Sequence, residues 1–157
     1  PFPAATEDVK EATTANASLT WTDTEQFIED QYPIDIREAL TIDCEVKQQG
    51  FQKHLLRFML AKRMPLLPNK KLHFCIKKNS VEPPYEIYWK ALNRGEVAQR
   101  RNCVRGQIHP DNGNEERSES TNFKGDHVVE CYIVKDSVVV AKDRIRVPIS
   151  STERSYA

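Results

Sequence analysis

Three features of the chain predict a mainly β fold, a two-sheet β-sandwich with one or two short helices. Apolar residues recur at every second position in several separate stretches, the period of a half-buried strand. Those stretches are short and bounded by turn-forming residues such as Gln49-Gly50, Asn93-Arg94-Gly95 and Asp136-Ser137, a rhythm that suits two stacked sheets. Little of the sequence carries the longer apolar period of a helix. With 157 residues the chain is long enough to bury a core as one domain.

Residues 1–20 are acidic, rich in Ala and Thr and poor in large apolar groups, which predicts a flexible arm or linker. The folded domain is expected over 21–149, followed by a frayed polar tail, 150–157. A short helix is expected first, with Trp21, Phe27, Ile28 and Tyr32 apolar. Thr22 and Glu25 have capping-box spacing, and Pro33 stops the helix. Residues 39–48 alternate cleanly, with Leu40, Ile42, Cys44 and Val46 inward and Asp43, Glu45 and Lys47 outward. Residues 54–63 fit either a short helix or a strand running into an extended loop. Residues 72–77 alternate again.

The run PPYEIYWKALNRGEVAQRRNCVRGQI, residues 83–108, holds two expected strands about a turn at Asn93-Arg94-Gly95. Tyr85, Ile87, Trp89 and Ala91 share the core face, with Trp89 central; Glu86, Tyr88, Lys90 and Leu92 take the outward face. Residues 109–120, HPDNGNEERSES, hold no large apolar side chain and read as a mobile hairpin loop. Residues 121–123 are a possible strand start. Residues 127–135 and 138–141 flank Asp136-Ser137 as a hairpin, and Ile145, Val147 and Ile149 mark a last strand.

Charge is strongly polarised although the chain has no net charge. Residues 1–45 carry eleven acids and two bases, a balance of −9; residues 46–110 carry three acids and fourteen bases, a balance of +11. Either the acidic segment packs over the basic one, or a positive surface is left for an anion. Cys44, Cys75, Cys103 and Cys131 are widely spaced and read as reduced core thiols. No metal-ligand spacing, nucleophile elbow or membrane-length apolar run is present, so metal, cofactor and membrane readings are not supported.

Arg100, Arg101 and Arg105, with Lys90 and Arg94, form the candidate anion site, since guanidinium groups bind phosphate through paired charge-assisted hydrogen bonds. The competing account is a solvated edge that blocks aggregation. Arg105 is favoured because Gly106 beside it admits close approach to backbone. Tyr88 is the candidate base-stacking side chain, and His127 a reader of a base or phosphate or else a structural histidine.

These stretches also carry a resemblance. FIEDQYPIDIREALTIDCEVKQQGF, LLRFMLAKRMPLLPNKKLHF, the 83–108 run and TNFKGDHVVECYIVKDSVVVAKDRIRVPI resemble the adenylyl/guanylyl cyclase and SMODS C-terminal sensor domain (AGS-C) of bacterial cGAS/DncV-like nucleotidyltransferases. The most specific pieces are YEIYWKALNRG, RRNCVRGQI and GDHVVECYIV. The resemblance implies an immunoglobulin-like sandwich, a cytoplasmic place in anti-phage nucleotide signalling, and sensing rather than catalysis. It implies an attached or associated nucleotidyltransferase as partner and a nucleotide or nucleic-acid ligand, with recognition of a phage or host protein as the alternative. Nucleotidyl transfer itself needs a Gly-Ser turn and paired Asp residues for two metal ions, and no such arrangement occurs here. If the parent protein makes a cyclic nucleotide, that chemistry is expected upstream of Pro1.

Overall fold

The computed structural model describes residues 25–48, 52–68, 70–93, 106–120 and 125–149. In chain order the elements are β1 (Leu40–Gln48), β2 (Gln52–Leu55), α1 (Leu56–Ala61), β3 (Lys71–Asn79) and β4 (Glu86–Asn93). They continue with β5 (Ile108–Pro110), β6 (Glu116–Ser120), β7 (Gly125–Lys135) and β8 (Val138–Ile149). Two four-stranded antiparallel sheets result, ordered β2-β1-β3-β6 and β5-β4-β7-β8. The fold is mainly β, as the alternation predicts.

One core lies between the sheets. Ile42, Cys44 and Phe74 enter from the first, Trp89, Cys131 and Ile133 from the second, and all are essentially inaccessible. Burial of each large apolar side chain of this kind stabilises by about 1.5–3 kcal/mol. Trp89 also satisfies its indole N–H, which donates to Asp111 Oδ1 at 2.8 Å. The hairpin at Asp136-Ser137 forms as expected, with φ of 52° and 63°, the paired left-handed residues that match strand twist.

Residues 54–63 divide between the two expected forms. β2 pairs with β1 as far as Leu55 opposite Glu45, and α1 begins at the next residue. Asp43, expected outward, is buried because its carboxylate accepts from Arg57 N at 3.1 Å and so satisfies a free donor of the first helical turn. The Arg57 guanidinium then donates to Ile42 O at 3.0 Å and to Asp143 Oδ2 at 3.0 Å, tying α1 and β1 to β8.

The loop expected at 109–120 is corrected by the structure. Ile108–Pro110 pairs with β4 and Glu116–Ser120 pairs with β3, leaving only residues 111–115 as a connection from one sheet to the other. Both segments are edge strands, where polar and charged residues are usual, so no apolar alternation marks them. The last two expected strands are one, β8. Residues 1–24, the turn at Gln49-Gly50, Cys103, residues 102–105, residues 121–123 and the tail from 150 lie outside the described residues.

The segment before β1 is a strap over the outer face of the second sheet. Among the described residues its expected helix is a single 3₁₀ turn, Ile28–Asp30, whose N-cap Phe27 makes no side-chain cap. Ile28 seats against Tyr132, Val134 and Val139. An irregularity where Ile133 pairs with Ala141 but Val134 with Val139 turns Val139 to this outer cluster while Ala141 stays in the core. Beyond Pro33 the strap runs beside β8, with Asp35 N and Arg37 N donating to Val139 O and Val140 O, both at 2.9 Å.

Candidate functional site

β4 positions Lys90 on the face that the strap covers, and only 3% of the residue is exposed. A lysine so deeply placed needs a counter-charge. Glu25 supplies it, with Oε2 3.2 Å from Nζ, and the Phe27 ring centroid lies 4.6 Å from the same ammonium. The backbone of the strap is fixed beside this pair: Gln26 N donates to Gly106 O at 2.9 Å, and Ile108 N donates to Gln26 Oε1 at 2.6 Å. Gly106 permits that approach. A Cβ there would lie 3.0 Å from Glu25 Cα and 3.0 Å from Leu92 Cδ2. The close approach expected of a ligand at Gly106 is therefore made by the chain's own Glu25, whose carboxylate faces Lys90.

Tyr88 lies two residues along the same face. Its hydroxyl is 3.1 Å from the Tyr32 hydroxyl and donates to Glu86 Oε1 at 3.1 Å, with the Tyr32 and Tyr88 rings 5.9 Å apart and tilted by 41°. The hydrogen bond to Tyr32, then burial, push the Tyr88 phenol well above its ordinary 10.0. On neighbouring β7, burial and the hydrogen bond that Tyr132 donates to Glu130 raise Tyr132 in the same direction. On this face two neutral phenols lie near the paired Lys90 ammonium, half closed by the strap; a cavity of about 540 Å³ remains between Lys90, Glu130, Lys142 and Ile34.

His127 is buried near the start of β7, opposite Asn93 of β4 and Val147 of β8. By strand alternation it shares the core-facing side with Val129 and Cys131, so it is on the opposite face of the sheet from Tyr88 and Lys90. It lies at the end of β4 from which the chain continues to Arg94. Arg94, Arg100, Arg101 and Arg105 lie outside the described residues. The structure therefore brings Tyr88 and Lys90 together, with the strap, and places His127 on the other side.

Cys75 and His73 share the outer face of β3, and burial pushes the Cys75 thiol up, away from the thiolate that a nucleophile needs. Among the described residues no three His, Cys, Asp or Glu side chains converge as metal ligands. No helix among them is long and apolar enough to cross a membrane. Sequence reasoning missed a second basic feature, a cross-strand row of Lys53, Lys47 and Lys71 on the first sheet. Lys71 is distant from the other two in the chain, and only strand register reveals the alignment.

Comparison with protein families matches residues 22–150 to the family described as the Adenylyl/Guanylyl and SMODS C-terminal sensor domain. Comparison with curated proteins finds no match.

Proposed function

Because the chain belongs to the adenylyl/guanylyl and SMODS C-terminal sensor domain family, we propose that it senses a nucleotide or nucleic-acid-type anion and regulates an attached or associated cGAS/DncV-like nucleotidyltransferase in anti-phage defence. The observation that carries this reading is the buried Lys90, an ammonium whose anion is a carboxylate on the strap rather than on the sheet. In the resting state Glu25 occupies Lys90. A ligand phosphate drawn in by Arg94, Arg100, Arg101 and Arg105 takes the place of Glu25 and frees the Tyr88 ring for a base. The strap then moves, and its displacement is the signal to the catalytic partner. Binding acts on that partner only because the ligand prefers the strap-released state.

A thermal-shift screen of cyclic di- and trinucleotides, mononucleotides and short oligonucleotides tests this. A ligand that raises the melting temperature is expected, with the rise diminished in Arg105→Ala and enlarged in Glu25→Gln, which competes less for Lys90. If no nucleotide shifts the melting temperature, the ligand reading is lost.

A second reading, a module that docks on a phage or host protein, is favoured by the apolar side chains the strap leaves exposed: Phe27 at 45%, Ile34 at 38% and Ile36 at 46%. Under that reading Ile34→Asp abolishes partner capture while nucleotides have no effect.

A further inference from the structure

The outer face of the β2-β1-β3-β6 sheet carries a charge arrangement that strand pairing alone disfavours. Register places Lys47 directly opposite Lys53 on one side and Lys71 on the other, and all three are exposed. Like charges directly opposite across a ladder repel. Edge protection accounts for Lys53 on the edge strand β2 but not for Lys47 and Lys71, because β1 and β3 are the two inner strands of their sheet. One rung away the pattern is compensated. Glu45 faces His73 and lies 3.7 Å from Lys53 Nζ, while His73 Nε2 lies 3.2 Å from Glu116. Glu119, which also borders the groove, takes Arg117 Nε at 2.9 Å.

Each carboxylate beside the row thus has a cationic or imidazole neighbour, and among the described residues Lys47 and Lys71 have no ion-pair partner. Two positive charges are left side by side over a groove of about 710 Å³. Directly opposed Cβ atoms are about 5 Å apart, and flexible lysine stems let both ammonium groups converge on one anion. The two charges match a phosphate monoester, which carries about −1.5 to −2 near neutral pH. The groove is far larger than a phosphate and falls within the range of small-molecule sites.

We propose that Lys47 and Lys71 clamp the terminal phosphate monoester of a nucleotide, with Lys53 and the Ser118 hydroxyl as flanking donors. The assignment rests on the reading of the chain as a nucleotide sensor and adds a second anion site on the sheet opposite Lys90. Among the described residues the His73 imidazole is the only ring bordering the groove, so recognition follows the phosphate rather than the base.

Isothermal titration of the whole chain with 5′-AMP, 5′-GMP, 3′,5′-cyclic AMP and inorganic phosphate tests the clamp. Both 5′-monophosphates are expected to bind alike and the cyclic diester about tenfold or more weaker. Lys47→Gln/Lys71→Gln is expected to lose about tenfold or more in affinity for the monophosphates. The same double variant melts slightly higher, because a repulsion is removed, so weak binding is not a folding defect. Lys78→Gln, which removes one exposed charge from the far end of β3, binds as the parent does. Unchanged binding by the double variant, or equal affinity for the cyclic diester, overturns the clamp. If the double variant binds fully while Arg105→Ala does not, the clamp fails and the sensor reading stands. Binding of inorganic phosphate without either nucleotide overturns the assignment to a nucleotide.

Discussion

At Lys90 an ammonium sits 3.2 Å from Glu25 and beneath the Phe27 ring, and both partners come from a strap that precedes the first strand. Removing one member of such a pair strands the other, so Glu25→Ala is expected to cost about 3 kcal/mol in urea denaturation. Lys90→Met, which removes the buried charge itself, is expected to cost clearly less. The reverse order would show that Lys90 does not depend on Glu25 for its counter-charge. Sequence alternation assigns Lys90 correctly to the face opposite Trp89, yet alternation cannot say whether that face meets water. The apolar Leu92 and the tyrosine at 88 on the same face were the available hints of a covering layer. Trp89 was legible outright, since a tryptophan flanked at two-residue spacing by Ile87 and Ala91 has nowhere else to go.

At the scale of elements, the strap and the second sheet meet at Gly106. Gly106→Ala places a methyl group 3.0 Å from the Glu25 backbone and from Leu92, and is expected to destabilise by about 1–3 kcal/mol. It should also increase amide exchange at Gln26 and Ile108, whose hydrogen bonds hold the contact. Normal protection at those amides would contradict the tight approach. In the β7–β8 hairpin, Ser137 holds a φ of 63° that glycine adopts without cost. Ser137→Gly is expected to stabilise by about 0.5 kcal/mol, read from the denaturation midpoint. The strands legible in the sequence are those with one wet and one dry face, such as β1 and β3. β5 and β6 escape notice because an edge strand is held by backbone pairing and presents Glu116, Ser118 and Glu119 where apolar residues would otherwise betray it. The strap escapes because a single 3₁₀ turn is too short to show a period.

Across the whole molecule, the acidic first third and basic middle are partly self-complementary, as the Glu25–Lys90 pair shows, and partly not, as Lys47 and Lys71 show. The buried titratable groups give the molecule an alkaline weakness. Burial pushes the Cys44 and Cys131 thiols above their ordinary 9.0 and Tyr132 above 10.0. The unfolded chain releases these protons at lower pH than the folded one. The stability they contribute is thus complete below the ordinary values and is lost as pH rises from about 9 toward the raised folded values. Denaturation midpoints are expected to be flat from about pH 7 to 8.5 and then to fall, each ionising group adding a slope of about 1.4 kcal/mol per pH unit. Tyr132→Phe should flatten the part of the fall that begins near pH 10. The two thiols should resist an aromatic disulfide reagent at pH 8 until the protein unfolds, and prompt reaction of the native protein would contradict their burial.

The central claim is that this domain holds a phosphate-bearing ligand through charge, and calorimetric titration at two ionic strengths tests it most directly. The nucleotide giving the largest thermal shift is titrated into the chain at low and at near-physiological salt. Saturable binding that weakens several-fold as salt rises is the expected result, since exposed cations are screened beyond about 10 Å. Absence of binding heat, or an affinity indifferent to salt, would contradict it.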